Sequence, residues 1–538
     1  MLSFRYLLIM FIIVCATPLL ADMSANWFTC YGSTGHESVT ASCYDPDGNY
    51  YLAGEFRGSF QMNDTTLNAG IHSTAFIAKY SATGQFIWAR QSTSSGATSR
   101  SAFVTGIVAD ADQNVYLCGS FDGLFKLSDI SVTSNSYVDS YIARLDATGA
   151  CQWITRGNAG ATNKAYAIAL SSDNLPLVCG SFSSNTNLFG TAVTNSGLED
   201  AYLAKFNTTG TINTLKHWGS ISNDQCQSIS PLSSGEIVIT GFYSNAISFS
   251  GTSLPAHNVE VFVCKLDASL NPIWVKGSIS DGWNQNDNIV TANDSGIYVF
   301  GRYNAGMSWD AFSLANTGYS LYALKLDNSG NVVWLNNLLS SSSGRSIKGA
   351  CLTSDSTIVL SGFYSESCTT SLGTITGAGS DDAFVMLVSS AGSLEMFQTL
   401  GGSGLDASFT LSINADDELL CAGYYSASDS NFMGTIPVYS GLKDIFALRF
   451  ILQDSSIPAA PQNIMLHNND QQLSLSWSSV HTSQSGTPIS VSGYQIYGSS
   501  SFEEDSFELI GECVGTTYLL PINELSYSHR FYIVKAVP

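Results

Sequence analysis

Val115-Tyr-Leu-Cys-Gly-Ser-Phe121 decides the fold, because it returns six times elsewhere in the chain. The other copies are Tyr51-Leu-Ala-Gly-Glu-Phe56, Leu177-Val-Cys-Gly-Ser-Phe182, Ile239-Thr-Gly-Phe-Tyr243, Val299-Phe-Gly-Arg-Tyr303, Leu360-Ser-Gly-Phe-Tyr364 and Leu420-Cys-Ala-Gly-Tyr-Tyr425. Their glycines, Gly54, Gly119, Gly180, Gly241, Gly301, Gly362 and Gly423, are spaced by 65, 61, 61, 60, 61 and 61 residues. A fixed period of this size means one supersecondary unit stacked seven times.

The second copy shows the unit. Phe103-Val-Thr-Gly-Ile-Val-Ala109 is an apolar run of strand length, residues 110–114 are a turn, and the quoted stretch is a second strand. A polar, variable segment runs to about Val138. Tyr141-Ile-Ala-Arg-Leu145 is a third strand, Asp146-Ala-Thr-Gly149 a turn, and residues 150–155 with Trp153 a fourth strand. Four short strands joined by turns, with no helical period, fit one propeller blade. The near-continuous apolar character of the first two strands suits a sheet covered on both faces. Trp88, Trp274 and Trp334 recur in the fourth strand, whereas copies three and six carry Thr214 and Met396. The seventh copy ends with its third strand, and Asn26-Trp-Phe-Thr-Cys-Tyr31 precedes the first copy with a tryptophan in the fourth-strand position. The expectation is an all-β chain: a seven-bladed β-propeller over residues 25–450, closed by that N-terminal strand, which removes the open sheet edge.

The tryptophan strand, the loop Gly401-Gly-Ser-Gly-Leu-Asp406, the turn Asp45-Pro-Asp-Gly-Asn49 and the Tyr/Val-x-x-Gly strand together resemble the bacterial β-propeller repeat family called SBBP. The resemblance implies the architecture and no particular chemistry. Leu145-Asp-Ala-Thr-Gly-Ala-Cys-Gln-Trp153 also looks like the tryptophan-docking repeat of quinoprotein dehydrogenases, which have eight copies where this chain has seven.

Residues 451–461 read as a linker. Beyond them, Leu473-Ser-Leu-Ser-Trp477, Val491-Ser-Gly-Tyr-Gln-Ile-Tyr497 and Phe531-Tyr-Ile-Val534 are similar to strands of a fibronectin type III domain, a β-sandwich, over residues 462–538. The resemblance places the domain's tryptophan at Trp477 and its tyrosine at Tyr532, and implies a spacer or adhesive role.

Lys and Arg number 21 against 43 Asp and Glu, a net charge of −22. Such a chain repels phosphate backbones, so nucleic acid is not an expected partner. Residues 1–21, with Arg5 ahead of an apolar core, read as a secretory signal peptide, so the chain is expected to be secreted or at the cell surface. No later stretch has 18 continuous apolar residues, and no transmembrane segment is expected after signal removal. Loss of Cys15 leaves 11 cysteines, an odd number that fits buried thiols better than a full disulfide framework.

Residues that recur in every copy point to architecture. Lys79, Arg144, Lys205, Lys265, Lys325 and Arg449 share one register, with Asp139, Asp200, Glu260, Asp382 and Asp444 five residues ahead. They are either a charged ring or a buried bond made in each blade. A second ring, 17 residues before each glycine, is Glu37, Ala102, Asn163, Asp224, Asn284, Arg345 and Asp406. Its chemistry varies, so it is either a ligand-binding channel mouth or a set of loop caps. Asp281-Gly-Trp-Asn-Gln-Asn-Asp-Asn288 sets Trp283 among Asp281, Asn284 and Asp287, a combination suited to stacking and hydrogen-bonding sugars, or to packing on the next blade. Met307-Ser-Trp-Asp310 is a weaker case of the same kind.

No cofactor is expected. The turns at Asp45 and Asp110 begin like calcium loops but lack the later glutamate. Cys/His metal spacings and the G-x-S-x-G and H-E-x-x-H motifs are missing too. The expected function is a secreted or surface interaction and adhesion module that binds an extracellular polysaccharide or a surface protein through Glu37, Asp224, Asp281, Trp283, Asn284, Asp287, Arg345 and Asp406. The alternative is a glycosidase or lyase using carboxylates at the channel mouth.

Overall fold

A computed structural model of the chain describes residues 22–95, 102–134, 138–157, 162–255, 258–280, 282, 289–293, 296–304, 306–315, 318–341, 344–453, 461, 465–469, 472–480, 491–499, 508–519 and 531–537. The chain is an all-β protein: every regular element among these residues is a strand. Compactness separates a unit of Ala25–Ile451 from a second that includes Leu452–Pro538.

In the first unit six repeats each make a four-stranded antiparallel meander, and the seventh supplies three strands of one. The second repeat pairs Ala102–Ala109, Val115–Phe121, Asp139–Leu145 and Cys151–Arg156 in that order. Seven such sheets are present among the described residues, beginning at Glu37–Tyr44, Ala102–Ala109, Asn163–Leu170, Asp224–Pro231, Ile289–Asn293, Arg345–Leu352 and Ala407–Ile413. Six take all four strands from one repeat. In the seventh, Asp22–Tyr31 lies beside Asp444–Gln453.

Every side chain of Val115–Phe121 and of Asp200–Phe206 is buried, because the sheets pack face to face. The hydrophobic clusters accordingly lie between sheets. One joins the first and second repeats through Ile77, Trp88, Leu117 and Tyr141. Another joins the first and seventh through Leu52, Phe76, Leu420 and Ala447.

The recurring glycine has a steric cause. A Cβ at Gly54, Gly119, Gly180, Gly362 or Gly423 would lie 1.9 Å from a first-strand carbonyl oxygen, and at Gly241 1.8 Å. No side chain fits such an approach. Beside each of these glycines the first strand has a bulge, where the register skips Thr40, Thr105, Tyr166, Gln227, Lys348 and Phe409. The extra residue re-aims its side chain, and all six are part-exposed.

The tryptophans join one repeat to the next. The indole Nε1 of Trp88 donates to Ala147 O (3.1 Å), that of Trp153 to Thr208 O (2.9 Å), that of Trp274 to Asn328 O (3.2 Å) and that of Trp334 to Ser390 O (3.2 Å). Each ring covers a turn glycine with φ > 0 in the following repeat: Gly149, Gly210, Gly330 and Gly392. Trp27 covers Gly84 of the first repeat in the same way. Where Thr214 replaces tryptophan, the glycine of the next turn is replaced too: Leu270 stands there at φ 63°, fully buried.

The variable segment reads as a polar loop but contains short hairpins in several repeats. Leu124–Leu127 with Ile130–Thr133 adds to the outer strand Phe86–Ser95 of the first sheet. Ser367–Thr370 with Gly373–Thr376 does so on Val332–Ser341. Strands of three or four residues are too short for a sequence period to show. Trp309 lies in such a hairpin and is 1% exposed, so it offers no face to a sugar.

Among its described residues the second unit has two three-stranded sheets. One orders Met465–Asn469, Gln472–Ser476 and Thr517–Leu519. The other orders Glu508–Cys513, Gly493–Ser499 and Phe531–Val537. Trp477, buried just past its strand, meets Tyr494 edge-on at 5.2 Å within a core that includes Leu475, Ile496 and Val534. The side chain of Tyr532 and the signal segment 1–21 lie outside the described residues.

Candidate functional site

The two charged rings do not pair with each other. They sit at opposite ends of the third strand and bond to different loops. Four of the cations, Lys79, Lys205, Lys265 and Arg449, reach the turn between the first two strands of their own repeat, and Lys79 also reaches Gln113 in that turn of the next repeat. Lys205 Nζ is 2.9 Å from Asp173 and Lys265 Nζ 2.7 Å from Glu236. Arg449 pairs with Glu418, and Lys79 donates to Gln113 Oε1 at 2.6 Å, with Asp45 at 3.9 Å. The acids at the other end close the loop that leads into their strand. Asp200 accepts from Ser196 N (2.9 Å), Asp382 from Ala378 N (3.0 Å) and Asp444 from Ser440 N (2.6 Å), four residues back in each case.

The second ring repeats this geometry on the first strand. Glu37 accepts from Ser33 N and Oγ (3.2 and 2.7 Å), Asp224 from Ser220 N and Oγ (2.6 and 2.7 Å), and Asp406 from Gly402 N (2.8 Å). Arg345 inverts the polarity and donates to Ser341 O at 3.0 Å. Asn163 accepts from Ser140 N at 2.7 Å and donates to Asp139 at 3.0 Å. All are buried. Burial raises the carboxyls against the pull of these hydrogen bonds, Glu37 to about 7 and Asp224 to about 6, and Asp406 in the same direction. Burial, with Arg302 nearby, lowers Arg345 to about 10. Of the ligand-binding residues expected from sequence, Glu37, Asp224, Arg345 and Asp406 are therefore placed as loop caps. Asp281, Trp283, Asn284 and Asp287 lie outside the described residues.

At four positions the backbone of this ring ties a repeat to the one before it. Asp224 N donates to Glu199 O (2.7 Å) and Asp406 N to Asp381 O (2.8 Å). Glu37 N donates to Lys443 O (2.9 Å), so the first repeat is tied to the seventh. At that seam a cleft of about 330 Å³ opens. His36, Glu37 and Ser38 lead into its first strand. Glu55 and Arg57 come from the second strand of the first repeat. Phe409, Tyr424 and Lys443 come from the seventh.

Phe409 is the bulge residue of its strand and stands 5.6 Å from Tyr424 and 6.4 Å from Phe363, ring to ring. Lys443 Nζ lies 3.6 Å from the centroid of Tyr424, a cation–π contact that leaves its positive end in the cleft. Ser73 donates to Glu55. His36 and Arg57 are exposed. The cleft thus combines an aromatic floor, cations and a carboxylate, the mixture that orients a polar ligand. Sequence reasoning found Glu37 but missed Glu55, Arg57, Phe409, Tyr424 and Lys443. The signal was present at other offsets: Arg57 stands three residues after its glycine, where the other copies have Asp122, Ser183, Ser244, Asn304, Ser365 and Ser426.

No metal-ligating cluster of three His, Cys, Asp or Glu occurs among the described residues. The carboxylates of Asp45 and Asp110 are turned onto their own loops, taking Asn49 N and Asn114 N at 2.9 Å each. The described cysteines are free thiols, buried except for Cys30 and Cys513. No helix among the described residues is long and apolar enough to cross a membrane.

No family model matches the chain. It is 25% identical over 403 residues to the uncharacterized WD repeat-containing protein L264 of Acanthamoeba polyphaga mimivirus, covering 58% of this chain and 28% of that one. It is 30% identical over 222 residues to the regulatory protein FlaEY of Caulobacter vibrioides, covering 39% of this chain and 22% of that one. The chain therefore spans under a third of the length of each. Among solved structures, the WD40 β-propeller domain of Doa1 aligns at TM-score 0.38 and 9% identity, over 80% of this chain and 98% of that one. Phage phi92 endosialidase aligns at TM-score 0.37 and 10% identity, over 96% and 88%.

Proposed function

We propose that the chain is an extracytoplasmic binding module that holds a carbohydrate or a surface protein in the cleft at the seam of the ring, without catalysis. In this reading residues 1–21 export the chain and residues 25–450 form one seven-bladed propeller closed by the N-terminal strand. Residues 462–538 form a fibronectin type III-like spacer after the linker 451–461. The seven meanders, and the pairing of Asp22–Tyr31 with Asp444–Gln453, support the closed ring. The strand orders of the two small sheets around Trp477 support the fibronectin-like module.

The observation that carries the function is the cleft of His36, Glu55, Arg57, Phe409, Tyr424 and Lys443, where side chains depart from the repeat. The enzyme reading would rest on Glu37, which burial raises to about 7, in the range of a general acid. Yet both Glu37 oxygens are engaged by Ser33, and Asp224 and Asp406 are raised in the same capping role. A shift shared by equivalent positions around the ring belongs to the architecture.

The test is retention on a polysaccharide array, with released reducing sugar measured in parallel. The mature protein is compared with Ser38→Trp, which fills the cleft. Retention that Ser38→Trp abolishes, without release, is expected. Retention unaffected by Ser38→Trp would remove the cleft from the function, and release that Glu37→Gln stops would establish the enzyme.

A further inference from the structure

In a repeat protein, a side chain that departs from its counterparts and makes no polar bond within its own blade needs a reason outside the architecture. Two departures meet in the seam cleft. Arg57 is the single cation at its offset, where the other copies have serine, asparagine or aspartate. Lys443 is likewise the single cation at its own, where the others have Ser73, Val138, Glu199, Val259, Tyr319 and Asp381. The equivalent seam of the third and fourth repeats shows the contrast. There Glu199 stands in the place of Lys443 and is met by Lys164 (3.9 Å), Gln225 (2.6 Å) and Ser181 (3.1 Å), so it is neutralised from within. Neither Arg57 nor Lys443 has a carboxylate partner among the described residues, although the chain carries 43 acids to 21 bases. Two cations without such a partner thus face one cleft, Lys443 from its seat on Tyr424 and Arg57 from an exposed position on its strand.

We propose that the cleft takes an acidic sugar, a hexuronate-type unit whose carboxylate is held by Arg57 and Lys443 and whose ring lies on Phe409; this rests on the binding reading above. The planar guanidinium of an arginine matches a carboxylate with two parallel hydrogen bonds. Lys443, seated on Tyr424, supplies a second positive charge. Phe409 offers a part-exposed apolar face for the C–H side of a pyranose. His36 and the Glu55 carboxylate remain for hydroxyl groups. A volume of about 330 Å³ is at the small end for ligand sites, which suits one or two sugar rings better than a protein surface. Local cations are also needed for any anion to approach a molecule of net charge −22.

The test uses the full mature protein and two matched probes, an oligogalacturonate and its methyl ester, which differ only at the carboxyl groups. Titration calorimetry should show the acid bound about tenfold or more tighter than the ester, the size expected of a charged hydrogen-bonded contact, with the preference shrinking as salt rises. Arg57→Gln and Lys443→Gln should each remove the preference. Phe409→Ala should weaken both probes, and Lys276→Gln, whose lysine pairs with Asp310, should change neither. Equal binding of acid and ester, or a preference that survives Arg57→Gln, would overturn the acidic-sugar assignment while leaving a cleft that binds neutral sugar. Failure of both probes to bind would overturn the assignment as well. The binding reading falls separately, if array retention ignores Ser38→Trp.

Discussion

At the scale of single residues, the anchor glycine was plain in the sequence as a recurrence, but its reason was not. Only the structure shows the first-strand carbonyl that a Cβ would strike. Gly119→Ala should therefore destabilise the first unit by about 2 kcal/mol or more. Gly306→Ala, whose Cβ would find nothing nearer than 3.6 Å, should be close to neutral. Equilibrium denaturation of the two variants checks the contrast. The buried caps give a pH effect. The folded-state pKa of Glu37, about 7, exceeds its ordinary 4.5, and Asp224 and Asp382 rise to about 6. A carboxyl raised on folding contributes stability that is complete below its unfolded pKa and is lost as pH climbs through the folded one. The melting temperature should fall between about pH 5 and about pH 8, and Glu37→Gln, neutral throughout, should flatten that fall. Sequence could align these residues from repeat to repeat but could not show that they are buried. That is decided by the i−4 loop contact, which a varied residue type makes with either polarity.

At the scale of elements, strand identity was legible because two-sided burial leaves long apolar runs. The short hairpins were not legible. The partners of the charged rings were hidden too, since a spacing of five residues along an extended strand sets two side chains at opposite ends. The tryptophan contact yields a sharper expectation. Thr214 and Leu270 are a matched loss of tryptophan and glycine across one junction. Thr214→Trp alone should overpack and destabilise by about 1–3 kcal/mol, while Thr214→Trp with Leu270→Gly should recover much of the loss. A double-mutant cycle on unfolding free energies reads the coupling. Removing residues 22–31 should expose the edge of Asp444–Gln453, lower the melting temperature and produce association that light scattering detects as concentration rises.

At the scale of the whole molecule, the hydrophobic clusters of the first unit join neighbouring sheets, so among the described residues no repeat holds a core of its own. Calorimetry should show Ala25–Ile451 unfolding in one transition, whatever the second unit does. Independent melting of separate repeats would refute this. The period in the sequence was enough to read seven repeated four-stranded sheets. The seam cleft was not readable, because its residues are ordinary when each is seen alone and become distinctive only against their six counterparts. The pairing of Asp22–Tyr31 with Asp444–Gln453 also sets an order in time. Strand Asp22–Tyr31 has no partner until the last repeat has been made, more than 400 residues later. Until then the nascent array presents two open edges, one at each end. That interval is when another chain, at the same stage, can lend its own first strand and leave two molecules interlocked.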